Sequence, residues 1–488
     1  MPADVETKVL QLDLPKNAAV WEYSERLSML EIESMEWAQK DLKKSALILD
    51  PEYSTGKVAI FKRAFQKLGF RVVVRENPLL PAEVQKLQHR ALMCFGNCLR
   101  PLVWQRFPVY RRVNRVPHHK MISSLQRKDA FAEILDKGAK GNELLSRYFL
   151  RWWTWTTEKR ELVLEFAHKH PDTWFIAKPT GGSLGNNIEV LNNTGLSAYP
   201  MEFPKTRQKQ RMIQEYIREP HLINGHKWDL RAYVLVTSCV PLRVYVFKKG
   251  LVRFAAHKYN TKSSGLGDRT QFLTNTHVGK RFQSLENITW TYEQLAEHLS
   301  SEGHSFERTM EDISEATFLV FQSIELFWQA LFRREGKHCN KCWHIYGLDL
   351  IMDKNHRLHV LELNSNPDME LSKHREEDLY SLTKFSFASN AINLLYKRNQ
   401  TVVPKIHELL ADFEDKEALK HLSKNEWLYL IEYMSESYHR GDYISAYPSA
   451  KYTGVQEAML NLHREVNPPS RIRLHKVLAH LEKKISSH

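Results

Sequence analysis

The sequence contains no apolar run near the ~20 residues that a membrane-spanning helix requires, so we expect no membrane insertion. Its first residues, MPADVETKVLQLDL, are acidic and lack the apolar core of a signal peptide. Five cysteines in a chain of 488 residues do not form the dense disulfide framework of small secreted proteins. Together these absences favour a soluble protein of the reducing cytoplasm.

Cysteine is also too scarce for a convincing zinc motif. Cys339 and Cys342 are spaced like a ligand pair, with His338 and His344 nearby, but the second pair of the usual motifs is missing. We therefore do not expect zinc at these cysteines. Internal repeats and low-complexity tracts are likewise absent.

The chain carries more positive than negative charge, with 70 Lys and Arg against 57 Asp and Glu and a formal net charge of +13. Such an excess favours an acidic partner: nucleic acid, an anionic membrane or an acidic protein surface. One basic cluster extends from Arg100 to Lys128 without an acidic residue, and a second lies between Lys205 and Arg211. Either cluster is equally well explained as a solvated basic loop.

The length and the 42% hydrophobic content allow a large core, and at ~150 residues per domain they predict about three domains. We divide the chain into a charged helical arm (1–44), a small N-terminal α/β domain (45–135), a central domain (136–220), a strand-rich domain (221–380) and a helical extension (381–488). Apolar strands at 46–49 and 71–74, with helical spacing between them, predict the α/β domain. Residues 141–170 look helical.

Two stretches combine an apolar face with charged side chains. Residues 227–233 read KWDLRAY, and because strand side chains alternate between faces, Lys227, Asp229 and Arg231 share one face. In LELN, residues 361–364, Glu362 and Asn364 similarly lie together. Burying such charges costs several kcal/mol each unless they meet counter-charges, metal or phosphate. The stretches therefore indicate a nucleotide with magnesium, and a buried salt-bridge network among the same side chains is the alternative.

A third feature is a strand, residues 175–179, that runs into the glycine-rich loop TGGSLG at 180–185. Glycines let a backbone approach phosphates closely, and Lys178 at the strand end can neutralise them. Further on, MIQEYI at 212–217 is an apolar strand with polar residues near its end. The edge of such a strand can offer backbone donors and acceptors to an adenine ring. Each signal alone is weak, because glycine-rich turns and ordinary strand ends are common.

Taken in chain order, these motifs resemble those of the tubulin tyrosine ligase-like family, which has an ATP-grasp fold. The resemblance rests on KP with the glycine-rich loop (178–185), QEYI (214–217), KWDLR (227–231), GLVRF (250–254), LTN (273–275), GLD (347–349) and ELN (362–364). Upstream, Arg127-Lys128-Asp129 resembles the family's amino-terminal nucleotide-binding lysine. The implied fold class is α/β (α+β): an ATP-grasp fold with a small N-terminal α/β domain and a C-terminal helical extension.

The resemblance implies a carboxylate–amine ligase. In this family ATP phosphorylates a glutamate side chain, normally in an acidic tubulin tail, and the amine of a free amino acid attacks the acyl phosphate. The resemblance assigns the following residues to ATP: Lys128, Lys178, Gly185, Asn186, Asn187, Gln214, Glu215, Tyr216, Ile217, Lys227, Asp229, Thr274 and Asn275.

The same resemblance assigns the metal and the catalytic groups. Mg²⁺ prefers oxygen ligands, and Asp349, Glu362 and Asn364 would supply them between the ATP phosphates. Glu362 thereby has a catalytic role, and Arg231 would stabilise the transferring phosphoryl group. Arg253 would hold the carboxylate of the incoming amino acid with its planar guanidinium.

The sequence departs from the family pattern in the phosphate loop and in the amino-acid pocket. The family's loop usually reads Gly-Arg-Gly or Gly-Lys-Gly, whereas Gly185-Asn186-Asn187 lacks the cation. Chain-elongating glutamate ligases usually follow LTN with Tyr-Ser, residues that help to bind glutamate, whereas Thr276 and His277 stand in that substrate-binding position here. Glutamate is the expected amino acid, and glycine, which needs less recognition chemistry, is the alternative.

These implications predict a monomer that acts on tubulin or microtubules through acidic tails, in the cytoplasm and cytoskeleton, including the cilium or basal body. Two other functions stay open: a glycine ligase of the same fold, and a microtubule-binding protein without catalysis. Nucleic acid is not an expected partner, because none of its common binding motifs occurs.

Overall fold

The computed structural model describes residues 43–49, 55–77, 89–94, 112–113, 124–139, 143–182, 185–201, 210–260, 266–335, 342–370, 378–397, 402–462 and 469–486. Several sequence-based expectations lie wholly or mostly outside these ranges: the helical arm over residues 1–44, the basic cluster from Arg100 to Lys128, the lysines and arginine of the second cluster before residue 210, and Cys339.

The amino-terminal unit is a parallel α/β layer, as the sequence predicts. Its elements are β1 (Lys43–Leu49), α1 (Thr55–Lys67), β2 (Arg71–Arg75), β3 (His89–Cys94) and β4 (Arg112–Val113). The strands pair in parallel in the order β2-β1-β3-β4. Val58, Phe61, Ala64 and Phe65 recur at helical spacing, so α1 buries one face in the same apolar cluster as β1. Gly69, with a φ of 79°, takes a left-handed conformation just after this helix.

The central unit is an antiparallel sheet with helices beside it. Its elements are α2 (Lys128–Ala139), α3 (Glu143–Tyr148), β5 (Trp152–Thr154), α4 (Thr157–Lys169), β6 (Trp174–Pro179), β7 (Glu189–Leu191), α5 (Asn193–Ser197) and β8 (Arg211–Tyr216). The strand order is β5-β8-β6-β7. The helical interpretation of residues 141–170 is therefore wrong at β5, because Trp152 and Trp153 pair with Gln214 and Ile213 of β8.

A larger antiparallel sheet follows. Its segment contains β9 (Leu222–Ile223), β10 (His226–Cys239), β11 (Leu242–Phe254), α6 (Thr276–Gly279), β12 (Thr289–Thr291), α7 (Tyr292–Ser301), α8 (Phe306–Glu335), β13 (His344–Met352) and β14 (Leu358–Asn364). The main path is β12-β11-β10-β13-β14, and β9 pairs with β10. Strands β10 and β11 form a long hairpin that extends the length of the sheet.

The described part of residues 381–488 is mostly helical and also completes the large sheet. It contains the end of α9 (Leu379–Tyr396), then α10 (Val403–Leu410), α11 (Lys416–Lys420), α12 (Lys424–Ser437), β15 (Tyr443–Tyr447), α13 (Thr453–Leu462) and α14 (Pro469–Ser486). Strand β15 pairs antiparallel with β11. None of the described helices is both long enough and apolar enough to cross a membrane.

The large sheet is covered on both faces, and β10 shows why. Leu230, Ala232 and Val234 belong to the apolar cluster that contains residues of α8. Tyr233 and Leu235 belong to the cluster that contains residues of α9 and α1. Because side chains of a strand point alternately to its two faces, a strand that is buried on both faces needs apolar residues at successive positions. Residues 232–236 of β10 meet this requirement. The charges at the start of β10 therefore lie at the edge of a large core.

The cysteines differ in part from expectation. Cys239 is free and buried, whereas Cys94 and Cys342 each form a disulfide bond. A reducing cytoplasm disfavours lasting disulfides, so these two residues differ from what that compartment leads us to expect.

Candidate active site

A cleft of about 840 Å³ lies between the central sheet and the large sheet. All the residues that the sequence assigns to ATP, magnesium or the amino acid line this cleft, except Asn187. They come from loops and strand ends spread between Lys128 and Asn364, so tertiary structure alone brings them together. Their individual roles stay predictions.

The charged face of β10 forms buried ion pairs across the sheet. Asp229 is opposite Arg253 of β11, and Arg231 is opposite Asp349 of β13. Arg253 donates to both oxygens of Asp229 at 2.7 and 2.6 Å and lies 2.9 Å from Oδ2 of Asp349. Arg231 donates to both oxygens of Asp349, with Nη2 at 3.1 Å from Oδ2. The salt-bridge network considered as an alternative is thus formed here, in the same cleft as the other predicted ligands.

These two arginines control the ionisation of Asp349, one of the predicted metal ligands. Burial by itself would raise the pKa of the Asp349 carboxyl, but Arg231 and Arg253 lower it below its ordinary value. Asp349 therefore remains a carboxylate inside the protein, which is the form that a cation requires.

The predicted metal ligands converge at the ends of β13 and β14. Asp349 pairs with Glu362 in the strand register, and Gly347 pairs with Asn364. The side-chain amide of Asn364 donates to Oδ2 of Asp349 at 3.1 Å and to Oε1 of Glu362 at 3.2 Å. Two carboxylates thus come within reach of one nitrogen, and carboxylate and amide oxygens are the ligands that Mg²⁺ prefers. The donor set fits this ion.

Three lysines also line the cleft. The Nζ atom of Lys128 donates to the carbonyl of Gly182 at 3.0 Å and lies 4.0 Å from Glu362. Burial lowers the pKa of Lys178 to about 8, with the Lys128 charge adding to the shift and Glu362 opposing it. Burial also lowers the pKa of Lys227 to about 7, with Lys178 adding to the shift and Asp229 opposing it. A bound polyanion would relieve this repulsion, so the three positions suit phosphates.

The glycine-rich loop has the backbone that glycine permits. Gly182 and Gly185 have φ angles of 98° and 72°, and Asn187 takes the left-handed region at 54°. Arg269 donates to the carbonyl of Gly185, and Arg211 donates to the carbonyl of Asn187. Two arginines outside the loop therefore contact it, although its own sequence lacks the cation of the family pattern.

The predicted adenine strand differs from expectation. Strand β8 is not at an edge, because β5 and β6 pair with it on its two sides. The backbone N–H of Glu215 already donates to the carbonyl of Arg151 at 2.9 Å. Strand β8 therefore offers no free edge, and Ile217, the first residue beyond it, lines the cleft.

Several cleft residues were not found from the sequence. Ile176, Met212 and Ile351 supply apolar side chains to the wall, which suit the faces of a base. Lys280 and Asp368 also line the cleft. Apolar strand residues carry no chemical signature in sequence, so only the fold identifies them as cleft residues.

Asp368, whose side chain is half exposed, is held by two buried residues of α9. Lys384, on α9, lies 2.9 Å from Oδ2 of Asp368, and the hydroxyl of Tyr380 donates to the same oxygen at 3.0 Å. Partial burial would raise the pKa of Asp368, but Lys384 and the hydrogen bonds lower it to about 2. The nearby predicted substrate residues are less constrained: Thr276 begins α6, and His277 is exposed.

Comparison with known proteins identifies the family of this chain. Residues 108–395 match the model of the tubulin-tyrosine ligase family. The human protein "Tubulin monoglutamylase TTLL4" is 26% identical over 355 residues, which cover 70% of this chain and 27% of that protein. The Xenopus tropicalis protein "Tubulin polyglutamylase TTLL7" is 28% identical over 306 residues, covering 58% and 32%. The Caenorhabditis elegans protein "Tubulin polyglutamylase ttll-4" is 26% identical over 335 residues, covering 62% and 53%. The chain thus spans between about a quarter and about half of these curated relatives.

A solved structure shows the same fold. The C-terminal domain of K. lactis Pby1, described as an ATP-grasp enzyme interacting with the mRNA decapping enzyme Dcp2, superimposes with a TM-score of 0.50. It is 18% identical, and the match covers 71% of this chain and 92% of that domain. The predicted ATP-grasp fold is confirmed, and the match to the family model over more than half of its length shows that this chain belongs to the tubulin-tyrosine ligase family.

Proposed function

We propose that this chain is an ATP- and Mg²⁺-dependent ligase that adds glutamate to glutamate side chains in the acidic C-terminal tails of tubulin, through an acyl phosphate. The observation that carries the proposal is the convergence in one cleft of three lysines, two arginines and the set Asp349, Glu362 and Asn364. Family membership and the glutamylase names of the relatives support the reaction class.

The lysines would position the ATP phosphates. Phosphoryl transfer requires little covalent chemistry from the protein but much positioning and charge neutralisation. Lys178 and Lys227 are buried and repel each other, while Lys128 reaches the glycine-rich loop. Together they provide the positive charge that a triphosphate requires.

The carboxylates would hold the metal. Asp349, Glu362 and Asn364 would bind Mg²⁺, which when bound neutralises phosphate charge. Glu362 is the ligand best suited to a functional rather than a structural role. Its side chain is 31% exposed, and its ion pair with Lys128 spans 4.0 Å, so it contributes little to the fold.

The arginines would act on the reacting groups. Both arginines use only Nε and Nη2 for their contacts with Asp229 and Asp349. A guanidinium has five N–H groups, so we assign Nη1 of Arg231 to the acyl phosphate and Nη1 of Arg253 to the carboxylate of the incoming amino acid. Fixed positive charge is most effective where negative charge develops in the transition state.

The choice between glutamate and glycine depends on the far end of the cleft. Thr276 and His277 replace the Tyr-Ser of the elongating ligases, which favours glycine as the second candidate. Lys280 also lines the cleft there and could pair with the side-chain carboxylate of glutamate, a group that glycine lacks. We therefore retain glutamate as the proposed substrate.

In this proposal the enzyme is a monomer, and tubulin is its acidic partner. The formal charge of +13 would speed encounter with an acidic tail and make binding sensitive to salt. With tubulin as the partner, the proposed activity would lie on the cytoskeleton, including the cilium.

The test incubates the purified chain with ATP, Mg²⁺, stabilised microtubules and an equimolar mixture of glutamate and glycine, followed by intact mass spectrometry of tubulin. Added glutamate masses are the expected result, and added glycine masses would establish the second candidate. Glu362→Gln should abolish the modification and still bind microtubules. Modification that persists in Glu362→Gln would show that the metal assignment is wrong.

A further inference from the structure

A cluster of imidazoles lies away from the cleft, where three segments meet. His221 follows β8, His298 and Glu302 lie at the end of α7, and His356 lies in the turn between β13 and β14. None of them lines the cleft. The ring of His304 stacks on that of His356 with the centroids 3.5 Å apart. Residues distant in sequence thus gather four histidines around one carboxylate.

Two histidine nitrogens of the cluster lie close to the carboxylate of Glu302. Its Oε2 lies 3.0 Å from Nε2 of His221, and its Oε1 lies 3.3 Å from Nε2 of His298. One ligand atom each from His221, Glu302 and His356 lies within 4.8 Å of the others. Zinc bonds of about 2.0 Å in a tetrahedron place ligand atoms about 3.3 Å apart. Small side-chain rotations would close the difference.

One nitrogen of this cluster lacks the hydrogen bond that a buried polar atom normally makes. Among the described residues, Nε2 of His356 is buried without a hydrogen-bond partner. A metal ion bound to this nitrogen would give it the partner that it lacks.

We propose that His221, Glu302 and His356 bind one divalent transition-metal ion, with Zn²⁺ as the ion best suited to two imidazoles and a carboxylate. The site is separate from the predicted magnesium site, which has only carboxylate and amide donors. It would join the end of α7 to the β13–β14 turn and to the chain before β9. Its role would be structural, and the proposal does not depend on the proposed ligase function.

Metal binding would break one hydrogen bond of His221, and this loss can be measured by fluorescence. The indole N–H of Trp228 donates to Nδ1 of His221 at 3.3 Å, so His221 carries its proton on Nε2. An ion on Nε2 would move that proton to Nδ1, and the contact with Trp228 would then open. Binding should therefore change the fluorescence of Trp228, and this change should be absent in Trp228→Phe.

The experiment titrates the full chain with Co²⁺ and Zn²⁺ in excess Mg²⁺, which competes for sites made of carboxylate and amide oxygens, such as the predicted one in the cleft. Visible absorption of Co²⁺ and calorimetry with Zn²⁺ report stoichiometry, affinity and ligand type. The variants are His356→Asn, because Asn tolerates the left-handed backbone at φ 60°, and Glu302→Gln. His421→Asn is the matched control, because His421 pairs with Glu417 at the same i,i+4 spacing as His298 does with Glu302.

The expected result is one tightly bound ion, with an affinity that falls about tenfold or more in both variants and stays unchanged in the control. The Co²⁺ spectrum should show nitrogen and oxygen ligands without thiolate charge transfer. Failure of the wild-type chain to bind, equal affinity in His356→Asn, or a thiolate band would each overturn the proposal.

Discussion

The buried ion pairs of the cleft predict that Arg253 stabilises the fold, in addition to its proposed role with the incoming amino acid. Its guanidinium contacts Asp229 at 2.7 and 2.6 Å and Asp349 at 2.9 Å. The Arg253 and Asp229 side chains are only 8% and 3% exposed, so water cannot replace the lost contacts. Without Arg253, Asp349 keeps Arg231, but Asp229 keeps only weaker contacts such as the hydroxyl of Thr274.

The size of the effect follows from that geometry. Removing one partner of a buried, hydrogen-bonded ion pair costs about 3–5 kcal/mol, chiefly because the other charge stays buried and unpaired. We expect Arg253→Met, which keeps much of the side-chain volume, to lower the free energy of unfolding by this amount. Adding Asp229→Asn in the same chain removes the unpaired charge, so the double variant should recover part of the loss.

Urea unfolding of the wild type, both single variants and the double variant gives the coupling energy between the two side chains. Arg281→Met is the matched control, since Arg281 is an exposed arginine close to the cleft and should change stability by no more than about 0.5 kcal/mol. A loss below about 1 kcal/mol for Arg253→Met, or no recovery in the double variant, would refute the reasoning.

Three further predictions follow from individual groups. Because burial lowers the pKa values of Lys227 and Lys178 to about 7 and about 8, both ammonium groups lose their protons as the pH rises through this range. The ATP affinity, measured by calorimetry, should therefore fall with rising pH. In Lys227→Met the affinity should fall less over the same range than in the wild type. Glu436 is fully buried against Arg243 and Thr237, so Glu436→Gln should lower the free energy of unfolding by about 3 kcal/mol in urea; a loss below about 1 kcal/mol would contradict this. Arg253→Lys, which keeps the charge but not the planar fork, should raise the KM for the amino acid far more than the KM for ATP; equal increases would move Arg253 to the nucleotide.

The sequence predicted the elements whose signals are local. Strands β1 and β2 are short apolar runs, and the helix α1 between them has apolar residues at helical spacing. At the start of β10, charged and apolar residues alternate, which reveals its charged face. The site residues followed from motifs in chain order, which require no knowledge of how the strands pair. The cleft gathers nearly all of them.

The features that the sequence missed depend on contacts between distant residues. Strand β5 exists because Trp152 and Trp153 pair with β8, and the same pairing makes β8 an interior strand. Strand β15 joins β11 from a segment about 200 residues further along the chain. The His221–Glu302–His356 cluster has no spacing pattern at all, because its members come from three separate segments.

The most direct test of the central claim follows oxygen atoms through the proposed reaction. An acidic tail peptide with ¹⁸O in its glutamate side-chain carboxylates is incubated with the chain, ATP, Mg²⁺ and glutamate. An acyl phosphate intermediate requires one carboxylate oxygen to leave with phosphate, so the account predicts ¹⁸O in the released phosphate in proportion to the amide bonds formed, and none with Glu362→Gln. Ligation that leaves the phosphate unlabelled would contradict it.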